Sequence, residues 1–184
     1  RFSAPAADCA LDLYRQGVRA NEIKDILAKA GDFTIKTLCH PPERKLRPQT
    51  HVDAQFSLPY AIAVAICRNR TGIDEFKTEV LDDPEVISLI DKVHWEVDPE
   101  AEAMYPKAYP ATVSVTLNDG RVFESHVDYP KGDPENPATL KEILEKFHSL
   151  TEKVMEEDKR SRIIAEVERL EDMDNITGLA DLLR

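Results

Sequence analysis

The sequence lacks most of the short patterns that mark a chemical site. Its six glycines lie far apart along 184 residues, which excludes a dinucleotide-binding fingerprint and a phosphate-binding P-loop. The three cysteines form no C-x-x-C pair and the five histidines show no zinc-type spacing, so we expect no metal site. An odd number of cysteines indicates reduced thiols, and we therefore predict a cytoplasmic protein.

Long apolar runs and an excess of basic residues are also lacking. The stretch from Ala54 to Cys67 carries no charge, but it is shorter than the roughly 20 apolar residues that span a bilayer. We interpret it as a core helix that Pro59 begins or kinks. The 35 acidic residues outnumber the 24 basic ones and give a net charge of −11. Such a surface repels phosphate, so we expect neither nucleic acid nor a membrane as partner.

What the sequence does contain is a mixture of helical and extended patterns. Capping residues, hydrophobic periodicity and prolines delimit the elements. The patterns predict, in order, helices over 6–16 and 21–30, a strand over 33–38, a loop over 41–48, the apolar helix to about residue 68, a helix from Asp83 and a strand over His94–Val97.

A β-hairpin over residues 110–129 is the clearest local prediction. Its two alternating runs meet at Asn-Asp-Gly, residues 118–120. A two-residue Asp-Gly turn would place Val115 opposite Glu124. A three-residue loop with a left-handed glycine would pair Val115 with Phe123 instead, so that the apolar faces coincide. We predict the three-residue loop for this reason.

The C-terminal quarter is predicted to be helical. Thr139 and Glu142 form a capping box, which opens a helix with an apolar stripe along one face. The stripe consists of Leu140, Ile143, Leu144, Phe147, Leu150 and Val154. Two more helices follow, the last over Asn175 to Leu183. Helices, a small antiparallel sheet with helices between its strands, and helices again make an α+β fold.

Two groups of polar side chains are candidates for binding a ligand. Basic residues interrupt the acidic background at Arg44, Lys45, Arg47 and Lys131, and polar residues enter the apolar segment at Gln55, Ser57 and Tyr60. The cations suit a carboxylate ligand, but they also suit a solvated loop. The polar residues of the helix suit a site, but they equally suit hydrogen bonds inside a core. The residues alone leave both interpretations open.

Four segments together carry a resemblance to a known family. They are SAPAADCALDL near the start, AQFSLPYAIAVAI at 54–66, DPEVISLIDKV at 83–93 and PATVSVTLNDGRVFESHVDYPKGDPENPATLKEILEKF at 110–147. In this order they resemble the C-terminal part of the MmgE/PrpD family. That family includes 2-methylcitrate dehydratases, cis-aconitate decarboxylases and iminodisuccinate epimerases. The resemblance runs in register over residues 3–183.

The resemblance implies a two-domain enzyme with a large helical domain, a smaller α+β lid and an active site in the cleft between them. It implies that residues 1–150 form the lid and that the helices of residues 151–184 return to the helical domain. Members remove a proton next to a carboxylate; then water or carbon dioxide leaves, or the proton returns on the other face. They need no organic cofactor, so positioned bases and cations must stabilise the carbanion-like state.

This sequence departs from the family pattern in two ways. Many members carry histidine in a T-H-x-A-I-D pattern, where this chain has Ala4 in S-A-P-A-A-D. The main acid–base residues of the family belong to the helical domain, and a Lys/His motif would fall just upstream of Arg1. We therefore carry over no catalytic residue. We expect a fragment of a 2-methylcitrate dehydratase-like lyase of propionate catabolism that is inactive alone and contributes at most substrate-binding residues.

The resemblance also implies an apolar surface where the missing domain would pack. Exposed apolar patches drive association, so we predict self-association, in the simplest case as a homodimer. The substrate is expected to be a small di- or tricarboxylate, bound together with the rest of the parent chain. The alternative is a free-standing, non-catalytic association module of the same fold.

Overall fold

The computed structural model describes all residues, 1–184. It contains ten α-helices, four β-strands and several short 3-10 helices. The helices are α1 Ala4–Arg15, α2 Asp32–Cys39, α3 Pro42–Lys45, α4 His51–Gln55, α5 Leu58–Arg68, α6 Pro84–Ile90, α7 Pro99–Met104, α8 Leu140–Thr151, α9 Glu157–Glu168 and α10 Thr177–Leu182. The strands are β1 Ile23–Ala30, β2 Val93–Val97, β3 Ala111–Leu117 and β4 Val122–Val127.

The chain divides into two compact units, Arg1–Pro137 and Ala138–Arg184. The first contains the sheet and helices α1 to α7. The second contains only α8, α9, α10 and one 3-10 helix. Helix α8 is therefore grouped with the C-terminal helices and not with the sheet.

The four strands form one mixed sheet in the order β2-β1-β3-β4. Strand β1 runs parallel to β2 and antiparallel to β3, and β3 runs antiparallel to β4. The predicted α+β class is confirmed, and one parallel pair is added to the antiparallel sheet that we expected. The predicted hairpin is also confirmed, because Val115 pairs with Phe123 and Gly120 has a φ of 88°.

Two neighbouring predictions are wrong, and they fail in opposite directions. Residues 21–30 were predicted to be a helix but contain β1, and residues 33–38 were predicted to be a strand but lie in α2. Helix-forming residues are common in β1, yet pairing with β2 and β3 on both sides makes it a central strand. Tertiary pairing overrides intrinsic propensity here. In α2 the buried residues are Thr34, Ile35, Leu38 and Cys39, which is a helical spacing.

The segment before α5 is more helical than predicted. The predicted loop over residues 41–48 contains α3, and the apolar segment is split into α4 and α5. Pro59 lies in the first turn of α5, so it begins the helix and does not kink it. Proline is favoured there because the first backbone N–H groups of a helix have no partner within it.

Other predicted boundaries are confirmed. Asp83 caps α6 by accepting the backbone N–H of Glu85, and the predicted strand at His94–Val97 is β2. Thr139 and Glu142 form the predicted capping box at the start of α8. Each of these signals is contained within a few consecutive residues.

The hydrophobic core lies between one face of the sheet and helices α1 and α5. Alternate residues of β1 and β3 point into it: Ile26, Ala28, Ala30, Ala111, Val113, Val115 and Leu117. Helix α5 is buried from Leu58 to Ile66, as expected for a helix that is apolar on all sides. No helix combines the length and apolar character needed to cross a bilayer.

The opposite face of the sheet is polar. Asp25 pairs with His94 (3.0 Å) across β1 and β2. On β3 and β4, Ser114 donates to Glu124 (2.6 Å) and Thr112 lies 2.8 Å from the His126 ring. These cross-strand contacts satisfy the polar side chains without a covering layer.

The second unit has little buried surface. Ile163 is its one buried residue, and the apolar stripe of α8 is largely exposed, with Leu140 at 60% and Ile143 at 53%. Helix α8 is thus defined by its cap and its amphipathic pattern, but its apolar face is not covered.

Candidate functional site

The N-terminus of α5 meets the basic loop at a closely bonded junction. The Ser57 hydroxyl accepts the backbone N–H of Tyr60 (3.1 Å) and donates to the carbonyl of Lys45 (2.6 Å). Lys45 Nζ donates in turn to the carbonyl of Phe56 (2.6 Å). These bonds hold the basic loop against the first turn of α5.

The charge at this junction is mainly positive. Arg44 is exposed, and its guanidinium has no hydrogen bond or ion pair. Burial lowers the pKa of Lys45, and the charge of Arg44 lowers it further. A hydrogen bond from Thr50 keeps the pKa of Asp53 below its usual range, with a smaller contribution from Arg44. Arg44 and Lys45 are thus two cations close enough to the Asp53 carboxylate to interact with it electrostatically.

Tyr60 is fully buried in the first turn of α5. Its hydroxyl donates to the carbonyl of Glu75 (2.6 Å), and its ring packs against Phe76. Burial raises the pKa of Tyr60 to about 12, and the nearby Asp83 and Glu75 carboxylates add to the effect. The phenol is therefore a neutral hydrogen-bond donor at physiological pH.

The remaining predicted residues near the junction differ in exposure and partners. Gln55 is exposed at the end of α4. Arg47 binds both carboxylate oxygens of Asp91 (2.7 and 2.9 Å) and so joins the loop to the end of α6. Of the three predicted cations in this loop, Arg44 has the fewest bonds within the chain.

Lys131 belongs to a second group of residues in the turn after β4. Its backbone N–H donates to Asp8 of α1 (2.7 Å). Two residues along, Asp133 accepts a paired contact from the Arg1 guanidinium (2.7 and 2.8 Å). Burial raises the pKa of Asp8, against the opposing effect of this backbone hydrogen bond.

Sequence reasoning missed the two acidic residues of α1 that bind this turn and β4. Asp8 holds the Lys131 amide, and Asp12 accepts the hydroxyl of Ser125 (2.7 Å). They are four residues apart and so lie on one helix face. That spacing is the signal that could have found them. Asp8 is also the acid of the S-A-P-A-A-D motif, so this motif residue ties α1 to the sheet.

The seven predicted substrate-binding residues thus fall into two groups. Six of them lie in the first turn of α5 or in the segment that leads to it, and only Lys45, Ser57 and Tyr60 are joined there by hydrogen bonds. Lys131 lies on the turn after β4, where Asp8 of α1 accepts its backbone N–H. Their role in binding a substrate stays a prediction.

The cysteines are poor candidates for nucleophiles. All three are free, and burial raises the pKa of Cys9 and Cys39 to about 12. They stay protonated at neutral pH, whereas the thiolate is the reactive form. No three His, Cys, Asp or Glu side chains are grouped in a way that could hold a metal ion.

A comparison with known protein families shows the family to which the chain belongs. The model of the MmgE/PrpD C-terminal domain matches residues 1–172. The chain belongs to the MmgE/PrpD family. The resemblance of its four sequence segments is thereby confirmed, and the match covers all of the first unit and most of the second.

Curated relatives share part of their length with the chain. The cis-aconitate decarboxylases of Mus musculus and Homo sapiens are each 26% identical to it over 137 residues, or 74% of the chain. The cis-aconitate decarboxylase-like protein oryM of Aspergillus oryzae is 32% identical over 138 residues, also 74%. The matched region is 28% of each relative, so the chain spans only a minor part of their length.

Proposed function

We propose that this chain is the lid-bearing C-terminal part of a lyase that acts on a small di- or tricarboxylate. Membership of the MmgE/PrpD family supports the reaction class. The names of the relatives make cis-aconitate the first substrate to test. The second is 2-methylcitrate, which the sequence resemblance predicted.

The cationic junction at α5 is the observation that carries the proposal. Arg44 offers an exposed guanidinium without a hydrogen bond or ion pair, and its charge helps to lower the pKa of the Asp53 carboxyl. A guanidinium binds a carboxylate through two parallel hydrogen bonds. Lys45 and Ser57 fix the loop on which Arg44 lies. In this proposal the junction binds a carboxylate of the substrate.

The proposal assigns the acid–base chemistry to the rest of the parent polypeptide. In the second unit, Leu140, Ile143 and Leu150 expose the apolar stripe of α8. A covered stripe would stabilise the assembled protein, since burying apolar area is favourable by about 25 cal/mol per Å². The proposed occupant is the remainder of the parent chain, and the 184-residue chain alone is expected to be inactive.

Charge removal in the complete parent protein tests the proposal. We expect Arg44→Gln to raise the KM for cis-aconitate by about tenfold or more, because a charge-assisted hydrogen bond contributes about 1.5–3 kcal/mol. Lys24→Gln is the matched control, since Lys24 is also an exposed cation without an ion pair. Steady-state kinetics on both variants would contradict the proposal if their KM values stayed equal.

A free-standing association module is the second candidate function. The exposed stripe of α8 favours it, because such a surface can also bind a separate partner. The upstream reading frame distinguishes the two: a helical domain of the family type supports the enzyme. A stop codon followed by a start site supports the module.

A further inference from the structure

The loop of the β3–β4 hairpin contains a dipeptide whose backbone can cyclise. Asp119 is the only aspartate or asparagine of the chain that is followed by a glycine. In such a pair the glycine nitrogen can attack the side-chain carboxyl carbon, because glycine has no Cβ to block the approach. Asp119, Gly120 and Arg121 are all exposed to solvent. The loop is thus a candidate site for a spontaneous chemical change of the backbone.

The reaction needs no reagent other than water. A bond forms between the Gly120 nitrogen and Cγ of Asp119, and the carboxyl hydroxyl leaves with the amide proton as water. Water then opens the resulting succinimide ring at either carbonyl. Opening at the Cγ carbonyl restores aspartate. Opening at the backbone carbonyl of Asp119 leaves an isoaspartate, in which the chain runs through Cβ and Cγ and is one methylene longer.

The folded loop holds both reacting groups in other contacts. The Gly120 N–H donates to the carbonyl of Leu117 (3.0 Å). The Asp119 carboxylate accepts the backbone N–H of Arg121 (3.0 Å) and the Nε–H of its guanidinium (2.7 Å). These two bonds lower the pKa of Asp119, whereas cyclisation requires the protonated carboxyl, whose hydroxyl is the leaving group. Each contact therefore opposes ring closure.

Neighbouring contacts keep the loop in this conformation. Asn118 donates its backbone N–H to the carbonyl of Glu22 (2.8 Å), and Leu117 donates to the carbonyl of Arg121 (2.8 Å). The Arg121 guanidinium carbon lies 5.7 Å from the centre of the Phe123 ring, so a cation–π contact helps to place the side chain that binds the carboxylate. Ring closure therefore requires the loop to open first.

We propose that Asp119–Gly120 is a site of spontaneous isoaspartate formation, and that the folded hairpin suppresses this reaction by means of Arg121. The modification would alter the sheet, because the length of the loop sets the register of a hairpin. A backbone that is one methylene longer no longer matches the three-residue loop that pairs Val115 with Phe123. We therefore expect the modified chain to be less stable than the unmodified chain.

Isoaspartate formation in the 184-residue chain tests the proposal. The folded chain and the chain unfolded in guanidinium chloride are incubated at neutral pH, and isoaspartate at residue 119 is then measured with an isoaspartate-specific methyltransferase and peptide mapping. We expect the folded chain to react at least about tenfold more slowly, because the reaction is limited to brief openings of the loop. Equal rates would overturn the proposal, and so would an unfolded chain without isoaspartate at residue 119.

Three variants test the site and the role of Arg121. Asp119→Glu keeps the charge but requires a less favourable six-membered ring, so the signal from this site should disappear. Arg121→Gln should accelerate the reaction of the folded chain about two- to fivefold, the range expected from an exposed ion pair. Lys107→Gln removes an exposed cation before the start of β3, and it is the control that should leave the rate unchanged.

Amide hydrogen exchange at Val115 and Phe123 shows whether each variant leaves the hairpin intact. Equal rates of isoaspartate formation in Arg121→Gln and Lys107→Gln would overturn the role of Arg121. A faster reaction in Arg121→Gln that is matched by faster amide exchange would also overturn it, because opening of the hairpin would then account for the change. A signal that persists in Asp119→Glu would overturn the assignment of the site.

Discussion

The first unit buries its apolar side chains, whereas the second leaves most of them exposed. In Arg1–Pro137 a sheet face and two helices enclose residues such as Leu13 and Ile62, which are inaccessible to solvent. In Ala138–Arg184 only Ile163 is buried. The second unit nevertheless contains well-capped helices. Local signals are therefore sufficient to define its helices, although the second unit has almost no buried core of its own.

Replacing one leucine by alanine in each unit should give the largest difference in stability between the two units. Leu13→Ala is expected to lower the free energy of unfolding by about 2–5 kcal/mol, because it leaves a cavity in a packed core. Leu140→Ala should change it by less than about 0.5 kcal/mol, since the side chain is largely exposed. Urea denaturation of both variants measures the difference. Equal losses would show that the α8 stripe is buried in solution.

Removing the two helix caps should give a smaller difference. Ser57→Ala is expected to lower the free energy of unfolding by about 2 kcal/mol. It removes the cap of α5 and leaves the backbone carbonyl of Lys45 without its hydrogen bond. Thr139→Ala removes only an exposed cap and should cost about 1 kcal/mol. Amide hydrogen exchange in α5 and in α8 measures the loss of stability of each helix separately. A larger loss of stability for Thr139→Ala than for Ser57→Ala would contradict the expected order.

The smallest expected effect is a pH dependence at Tyr60. Its pKa rises from about 10 in an unfolded chain to about 12 in the fold. Folding therefore favours the neutral phenol, and this stabilisation is complete below pH 10 and lost as the pH rises towards 12. At neutral pH the stability advantage over Tyr60→Phe is about 1 kcal/mol from the buried hydrogen bond. It should vanish and change sign as the pH approaches 12, because the rise in pKa then costs more than this hydrogen bond contributes.

Denaturation curves at several pH values would measure this trend. Tyr129→Phe controls for the loss of one phenol elsewhere in the chain. A constant difference between the unmodified chain and Tyr60→Phe up to pH 12 would contradict the assigned burial of Tyr60.

Elements defined by neighbouring residues could be predicted from the sequence, and those defined by distant partners could not. The cap at Asp83, the capping box at Thr139 and the Val115–Phe123 register depend on short-range patterns, and all three are confirmed. The helix predicted over residues 21–30 was wrong because the position of β1 between β2 and β3 is decided by residues far along the chain.

The same rule holds for the candidate site. The bonds that gather Lys45, Phe56 and Ser57 join segments that the sequence separates by a loop and a short helix. Arg44 was named for its charge alone, and the geometry adds that it is exposed and lowers the pKa of Asp53. The contact of Arg47 with Asp91 joins residues that are 44 apart in the sequence, and no local pattern indicates it.

The most direct measurement compares the 184-residue chain with the complete parent protein in an assay with cis-aconitate, 2-methylcitrate and citrate. We expect no turnover by the chain alone and turnover of one of these carboxylates by the parent, because the acid–base residues are assigned to the remainder of the polypeptide. Turnover by the chain alone would contradict that assignment, and an inactive, well-folded parent would contradict the proposed lyase.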